Sequence, residues 1–194
     1  MQEAKLFPIN NRFFITRFPV AAFDSFQKFY KPHGTFKFDS EIPRLISLHT
    51  DQFNLPDPPE NSIITDFSPE EINQFIALWR GLSDNPIWAN LPHLSRLNSL
   101  GRLKQIKSAQ GVQIATLGAT LAGERAYGWV NPGFRGKGYH YSLLAHLPTP
   151  MQYLQGYIKA DNAASIQSAT KHGVKVCENH AVYRTVYFLH YKPK

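Results

Sequence analysis

Residues 130–139, which read Val-Asn-Pro-Gly-Phe-Arg-Gly-Lys-Gly-Tyr, constrain the fold more than any other part of the chain. A strand-like run turns there through glycines into a helix-like run. Glycines let successive backbone N–H groups converge, and the start of a helix adds partial positive charge. Arg135 and Lys137 add full charges, so the segment predicts a binding site for a phosphorylated ligand. The alternative is an ordinary surface turn that combines glycine with basic residues.

Neither of the two common nucleotide-binding motifs is present in this segment. The dinucleotide fingerprint needs a third glycine at the position of Tyr141, and the P-loop needs a longer loop that ends in Gly-Lys-Ser or Gly-Lys-Thr. A phosphate site here would therefore be of another kind.

The positive charge of the chain is concentrated in its C-terminal half. The formal net charge is +7; the residues from Gly101 onward contain twelve Lys and Arg against three acids, which gives +9 there and −2 before it. A positive half that also carries the glycine turn fits a polyanionic ligand, either a nucleotide-containing cofactor or a nucleic acid. A basic surface without a ligand is the plain alternative.

Composition predicts a folded cytoplasmic protein without a metal site. With 194 residues, of which 43% are apolar, the chain can form a self-sufficient core. No apolar run reaches the length of a membrane span, and the N-terminus lacks the features of a secretion signal. The single cysteine, Cys177, excludes an internal disulfide, and the eight histidines show no His-x-x-x-His spacing typical of zinc sites.

The N-terminal part is rich in aromatic residues and is predicted to pack onto the rest of the protein. Strand-like residues occur at 13–15, and the apolar residues within 21–30 have helical spacing. The proline-rich segment 55–60 can continue neither a helix nor a sheet, so it predicts a boundary.

After this boundary the pattern predicts alternating strands and helices. Ser68 and Glu71 form a capping box with Pro69 at the first helical position, which marks a helix start. The predicted elements are a strand at 63–65, helices at 69–81 and 91–100, strands at 103–107, 112–121 and 125–130, a helix from the glycine turn to Pro148, a strand at 153–160, a helix at 163–171, and strands at 174–177 and 182–191.

This order of elements, together with two motifs, resembles the GNAT superfamily of acyl-CoA-dependent N-acyltransferases. Residues 130–140 are similar to the family's Val-x-Pro-x-Tyr/Phe-Arg-Gly-x-Gly-x-Gly/Ala, and Asn162-Ala-Ala-Ser-Ile and Lys171-His-Gly173 follow at the expected distance. The resemblance implies an α/β (α+β) fold with a mixed, mostly antiparallel central sheet flanked by helices. It places an acyltransferase domain at residues 62–194 and an N-terminal extension at residues 1–61.

The resemblance also implies acetyl-CoA, or another acyl-CoA, as the co-substrate. The backbone of residues 135–140, called the glycine loop below, would hold the CoA diphosphate, while Val130 and Asn162 would hydrogen-bond the pantetheine arm. The cofactor-binding residues implied in this way are Val130, Arg135, Gly136, Lys137, Gly138, Tyr139, His140 and Asn162. For Asn162, a role as a helix cap alone is the alternative.

The departures from the family pattern concern the chemistry. Family members often carry a tyrosine seven positions after the asparagine, as general acid toward the departing thiolate, but this chain has Ala169 there. Tyr183 and Tyr139 are the stand-ins for that proton donor. His140 replaces the last small residue of the loop, where its side chain either crowds the diphosphate or, when protonated, adds to its binding.

Attack of an amine on a thioester requires the neutral amine and therefore a general base or a water chain that leads to one. Glu124 is the best-placed carboxylate in the sequence, so Glu124 and Tyr183 are the predicted catalytic residues. The alternative for Glu124 is a solvated glutamate in the turn between two strands. His180 and His190 are further options for the base.

Two functional hypotheses follow. The first is an enzyme that transfers an acyl group, most simply acetyl, from CoA to a small-molecule or peptide amine. The second is a catalytically silent binding module of the same fold that uses its basic C-terminal half to hold nucleic acid or a protein partner, with no competition from CoA. Residues 1–61 either cover the acceptor side of the cleft or mediate self-association into a homodimer. No membrane partner is expected, and the sequence does not indicate the acceptor.

Overall fold

The structure is a computed structural model that describes most of the chain. The described residues are 14–30, 32, 34–38, 44–48, 55–82, 90–121, 123–148 and 155–191. The chain divides into two compact units, of which the first comprises residues 1–46, 157–163 and 177–194, and the second comprises residues 47–156 and 164–176.

A five-stranded sheet is built around one long C-terminal strand. The strands of this sheet are β1 (Phe14–Pro19), β2 (Gly34–Phe38), β3 (Arg44–Leu48), β8 (Gln155–Lys159) and β9 (Lys175–Tyr191). The order is β1-β9-β3-β8, and β2 also pairs with β9. Both β1 and β2 run antiparallel to β9, and the helix α1 (Phe23–Tyr30) lies between them in the chain.

For this sheet one sequence prediction was wrong and two strands were missed. Separate strands were predicted at 174–177 and 182–191, but β9 is continuous from Lys175 to Tyr191, because no glycine or proline interrupts it and β1 and β2 pair along its second half. The strands β2 and β3 were not predicted, since each has only five residues and forms in a sheet with partners distant in sequence. The division into an extension at 1–61 and a domain at 62–194 stays a prediction.

The second sheet is antiparallel and has four strands, each of which the sequence predicts. Its strands follow the chain in the order β4 (Ser62–Thr65), β5 (Leu103–Ser108), β6 (Gln113–Ala119) and β7 (Arg125–Val130). The register pairs Ile64 with Ile106 and Leu103 with Gly118. One parallel bridge joins Glu124, just before β7, to Gln155 at the start of β8, so β7 and β8 run in the same direction there.

The helix α2 (Pro69–Leu82) begins with the capping box that the sequence predicts. The N–H of Ser68 donates to Glu71 Oε2 at 2.8 Å, and the N–H of Glu71 donates to Ser68 Oγ at 3.3 Å. Glu71 Oε1 also lies 2.7 Å from Lys107 Nζ on β5. The capping box therefore fixes the helix start, and its glutamate ties the helix to the sheet.

The helix α3 (Leu91–Ser99) is capped at both ends. The side chain of Asn90 accepts from the N–H of His93, and Gly101 reverses the chain after the helix with a φ of 65°. Its side chains Leu94 and Leu97 are fully buried. The helix follows α2 in the chain and buries its apolar residues in the same cluster.

The four-stranded sheet carries an apolar cluster on each face. Leu103 and Ile106 are three residues apart on β5, so they point to opposite faces and belong to different clusters. The cluster on the α2 and α3 side contains Phe67, Ile72, Phe75, Ile76, Leu94, Leu97, Leu103 and Tyr127. The cluster on the other face contains Ile106, Ile114, Ala115, Leu117, Ala119, Leu143 and Leu147.

The segment after the glycine loop is much less helical than predicted. Its α-helix, α4 (Tyr139–Ser142), has a single turn, and residues Leu143–His146 continue as a 3₁₀ helix. Leu147 is extended, with a ψ of 150°, because the following Pro148 disfavours a helical conformation for it. Tyr, His and Ser are also weaker helix formers than alanine, so the residues of the first turn do not favour a long helix.

The helix α5 (Ala163–Lys171) ends in a Schellman motif. The N–H of Gly173 donates to the carbonyl of Thr170 at 3.1 Å, and the N–H of Val174 donates to that of Ala169 at 3.0 Å. Gly173 has the left-handed φ of 81° that this motif needs, as the sequence predicts. His172 is therefore the C-cap residue, and its backbone is fixed.

Candidate functional site

The glycine loop begins where β7 ends. After Val130, the side chain of Asn131 accepts from the N–H of Gly133 at 3.2 Å, and Pro132–Phe134 form a 3₁₀ turn. The chain then passes through two left-handed glycines, Gly136 with a φ of 82° and Gly138 with a φ of 72°. A side chain at either position would strain the backbone, so the loop needs both glycines.

The loop presents four consecutive N–H groups that bond to no other part of the described chain. Within the ranges that the structure covers, the main-chain N–H groups of residues 136–139 have no acceptor. The next hydrogen bond after them joins the N–H of Tyr141 to the carbonyl of Gly138 at 2.8 Å. Gly138 is left-handed and is followed by right-handed helical residues, a combination that forms an anion-binding nest. The loop can therefore bind an anion through its backbone.

Two exposed cations belong to the same loop. Arg135 and Lys137 are both exposed, and Nε of Arg135 donates to the carbonyl of Val130 at 3.3 Å. Nζ of Lys137 lies 5.9 Å from the ring centroid of Tyr139. The positive potential of the loop comes from these two charges and from the N–H groups without an acceptor. The helix that follows adds little to it, because this helix is only one turn long and has a weak dipole.

The glycine loop rests on a buried histidine that the sequence analysis did not identify as a site residue. Gly138 is buried, and a Cβ at this position would overlap Nε2 of His172 and lie 2.8 Å from Cε1 and 2.9 Å from Cδ2 of the same ring. His172 itself is 4% exposed. The Lys-His-Gly sequence marks the end of a helix, but nothing in it indicates that the histidine reaches the loop.

The ring of His172 packs in turn against other rings close to the loop. The ring of Tyr141 lies 4.9 Å from that of His172 and 4.1 Å from that of His140, centroid to centroid. The guanidinium carbon of Arg125 lies 5.3 Å from the centroid of Tyr141, and its Nη1 lies 3.4 Å from the phenol oxygen. Burial raises the pKa of Tyr141, although Arg125 opposes this effect, so the phenol is neutral at physiological pH.

A bulge in β7 lies next to the loop. Tyr127 has a φ of 57°, and the pairing of β6 with β7 shifts register between Thr116 and Gly118. Thr116 Oγ1 donates to the carbonyl of Tyr127 at 2.8 Å and holds the bulge. The next residue, Gly128, is exposed, and a Cβ there would lie 3.7 Å from the His140 ring. In the sequence, the glycine inside this strand is the signal that indicates the bulge.

Glu124 is buried. Its side chain is 8% exposed, so the alternative of a solvated glutamate in a turn is wrong. Its N–H donates to Thr120 Oγ1 at 3.1 Å, and its carbonyl accepts from the N–H of Thr120 at 2.8 Å. The parallel bridge to Gln155 places it where β7 and β8 meet. A carboxylate at this point can accept a proton from a reactant, and its role as the base stays a prediction.

His93 is a second titratable group near the bulge, and it was not among the predicted site residues. Its ring centroid lies 6.3 Å from that of Tyr127, at the start of α3. Burial lowers its pKa, so the imidazole is neutral at pH 7 and can accept a proton.

The structure brings together most of the predicted cofactor residues. Val130, which is half-buried, leads into the glycine loop that contains Arg135, Gly136, Lys137, Gly138, Tyr139 and His140. Asn162 is exposed immediately before α5, and its N–H donates to the carbonyl of Lys159 at 3.0 Å. Tyr183 pairs with Phe18 in the first unit. Roles for Asn162 and Tyr183 in the site stay predictions.

Position 169 faces the protein interior. Ala169 is fully buried in α5, and its carbonyl accepts the N–H groups of His172 at 3.1 Å and Val174 at 3.0 Å. Alanine has no hydroxyl, so this position cannot supply the proton donor that the family pattern places there.

Two features are absent from the described residues. In this part of the chain no group of three or more His, Cys, Asp or Glu side chains is arranged to hold a metal ion. The helices that the structure describes are all too short or too polar to span a membrane.

Comparison at the level of sequence identifies no relative. No protein-family model matches the chain, and no curated protein matches it.

Comparison of structures identifies many similar folds. A Drosophila protein aligns with a TM-score of 0.65 at 12% identity, over 91% of this chain and 60% of its own. A GNAT-family acetyltransferase from Colwellia psychrerythraea aligns with a TM-score of 0.57 at 16% identity, over 89% of this chain and 63% of its own. A protein assigned to the same family, from Novosphingobium aromaticivorans, gives 0.59 at 13% identity, over 97% and 78%. The chain thus spans less than two thirds of the first two structures. With its antiparallel sheets flanked by helices, it has the fold of the GNAT N-acetyltransferases.

Proposed function

We propose that this protein is an acyl-CoA-dependent N-acyltransferase that transfers acetyl from acetyl-CoA to an amine. The observation that carries the proposal is the glycine loop, in which four consecutive N–H groups without an acceptor in the described chain are accompanied by exposed Arg135 and Lys137. A diphosphate is the anion that such a loop fits, because it offers several charged oxygens to several donors at once. The fold supports the same conclusion.

The other parts of the donor have complementary surfaces nearby. The bulge in β7 exposes the main chain at Gly128, and the carbonyl of Val130 lies on the same strand. We assign the pantetheine arm, which carries amide groups, to this strand. His140, the last residue of the loop, has its ring beside the bulge, so this ring would contact the arm where it leaves the diphosphate.

The reaction requires that the amine nitrogen attack the thioester carbonyl, that the C–S bond break, and that CoA leave as a thiolate. The proton lost by the attacking amine passes to a base, for which Glu124 is the first candidate and neutral His93 the second. The thiolate takes its proton from Tyr183, Tyr139 or water, because Ala169 offers none. CoA thiol and an amide are then the products.

Binding and turnover are tested separately. Calorimetric titration of the protein with acetyl-CoA tests the donor site, and a thiol-reagent assay of CoA release across a panel of amines tests transfer. We expect binding in the micromolar range, about 1–100 μM, as is common for substrates. No binding at millimolar acetyl-CoA would refute the proposal. Glu124→Gln and His93→Gln, compared on the best amine, then decide between the two bases.

The second candidate function is a binding module without catalysis. It is favoured by the buried Ala169, which removes the usual proton donor, and by the basic C-terminal half of the chain. This alternative predicts that a nucleic acid binds with a steep inverse dependence on salt and that CoA does not compete with it.

A further inference from the structure

We propose that His172 is a positioning residue for the donor. Its imidazole fills the space of the missing side chain at Gly138 and holds the glycine loop in the shape that presents the N–H groups of residues 136–139 to a diphosphate. The inference rests on the proposed function, since it assigns a role in the same binding site to a residue that never contacts the reacting atoms.

The end of α5 holds His172 in a rigid position. As the C-cap of α5, His172 has its own N–H bonded to the carbonyls of Ser168 at 3.3 Å and Ala169 at 3.1 Å, and the Schellman bonds of the next two residues lock the turn. Its ring is buried and packs against the ring of Tyr141. The ring is therefore a fixed surface and not a mobile side chain.

The glycine loop touches that surface at one of its two left-handed glycines. A Cβ on Gly136 would meet nothing within 4 Å, whereas a Cβ on Gly138 would overlap the imidazole of His172. Gly138 thus packs its Cα directly on the ring, while Gly136 projects away from the protein. The ring limits the conformations open to Gly138, which as a glycine would otherwise be free to adopt many backbone conformations.

Removal of the ring should therefore affect donor binding. Without it, Gly138 has to be ordered when the diphosphate binds instead of when the protein folds. Ordering the backbone of one residue corresponds to about a tenfold change in an equilibrium constant. We expect His172→Ala to weaken CoA binding by about this factor.

The experiment compares four proteins: the wild type, His172→Ala, His172→Gln and His146→Ala. His146 is an exposed histidine at the end of the 3₁₀ helix and serves as the control for loss of an imidazole. Each protein is titrated with CoA by calorimetry, and ¹H–¹⁵N spectra follow the amides of Gly136 and Gly138 with and without CoA. Wild type and His146→Ala should bind alike, with both loop amides shifted by CoA.

The outcomes separate this inference from the proposed function. If the wild type does not bind CoA, the proposed function fails and this inference fails with it. If the wild type binds and His172→Ala binds with the same dissociation constant, only the inference is overturned. If His172→Ala does not fold, His172→Gln decides, because glutamine keeps a polar group but no ring. We expect about threefold weaker binding for it, as an intermediate between ring and methyl, and unchanged binding would overturn the inference.

A general loss of stability would give a different pattern. Such a loss lowers the unfolding temperature but leaves the affinity of the folded protein for CoA unchanged. For a positioning role, the amide signals of the free loop should differ from those of the wild type and approach them when CoA saturates the protein. Unaltered loop amides in free His172→Ala would contradict the role.

Discussion

The contact between Gly138 and His172 makes a prediction about stability that can be tested without any ligand. Alanine at position 138 should destabilise the protein chiefly because its methyl group collides with the His172 ring. In a protein that already has alanine at position 172, the same change should cost much less.

The magnitude follows from the geometry. An alanine at the φ of 72° found at Gly138 costs about 1 kcal/mol for the left-handed backbone. The methyl group would overlap Nε2 and lie within 2.9 Å of two further ring atoms, so the ring or the loop must move. Such overpacking costs about 1–3 kcal/mol more. For a chain of this length, a total of about 3 kcal/mol lowers the unfolding midpoint by about 6–12 °C.

The double variant completes the cycle. His172→Ala alone leaves a cavity at a site that is 4% exposed and costs about 2–3 kcal/mol. In Gly138→Ala/His172→Ala the new methyl group occupies part of that cavity, so the overpacking disappears and the backbone strain remains. We expect the double variant to be more stable than the sum of the single changes by about 2 kcal/mol.

Gly136 provides a matched control. It has a φ of 82°, but a Cβ there meets nothing within 4 Å, so Gly136→Ala should cost only the backbone strain of about 1 kcal/mol. Its combination with His172→Ala should be additive within about 0.5 kcal/mol. The free energies of unfolding are measured by urea denaturation. Equal losses for the two glycine variants, or additivity in the Gly138 cycle, would refute the packing argument.

Three further changes test the remaining parts of the site and the fold. Arg135→Glu reverses an exposed loop charge and should weaken CoA binding, measured by calorimetry, at least about tenfold. The control Arg80→Glu, on an exposed part of α2, should leave the affinity unchanged. Equal affinities of the two variants would mean that the loop does not bind CoA. Glu124→Gln should lower kcat/KM about 100-fold or more with unchanged CoA affinity, and full activity would exclude it as the base. Burial raises the pKa of Glu71, but hydrogen bonds, first that from Lys107, outweigh it and hold the pKa below the ordinary 4.5. The ionised Glu71 therefore stabilises the folded protein by about 1 kcal/mol after screening by solvent. This stabilisation is present above pH 4.5 and is lost as pH falls through the lower folded-state pKa. The free energy of unfolding of Glu71→Gln should therefore equal that of the wild type only in acid.

Local signals predicted the fold well where the structure is locally determined. The capping box at Ser68, the glycine at position 173 and the strands β5 to β7 all depend on neighbours within a few residues or on a hairpin partner. The predictions failed where distant partners decide. The strands β2 and β3 exist through a sheet with remote strands, and β9 is continuous where two strands were predicted.

The part of the site that is formed by the backbone could be predicted from the sequence. The glycines at 136 and 138 and the cations beside them carry the anion-binding argument in the sequence and in the structure alike. What supports the loop was not predictable, because His172 is 34 residues away from Gly138 and no periodicity links them. A single sequence contains no signal for such a contact.

The short helix after the loop has a consequence for how the donor is held. A long helix contributes a dipole that is partly protected from solvent, but α4 has one turn, so most of the attraction must come from Arg135, Lys137 and the four free amides. Both cations are exposed, and exposed charges are screened as salt reduces the Debye length from about 10 Å at 0.1 M to about 3 Å at 1 M. The affinity for CoA should therefore fall markedly across this range, and less in Arg135→Gln than in the wild type. Equal salt dependence in the two proteins would mean that Arg135 does not contribute its charge to the diphosphate.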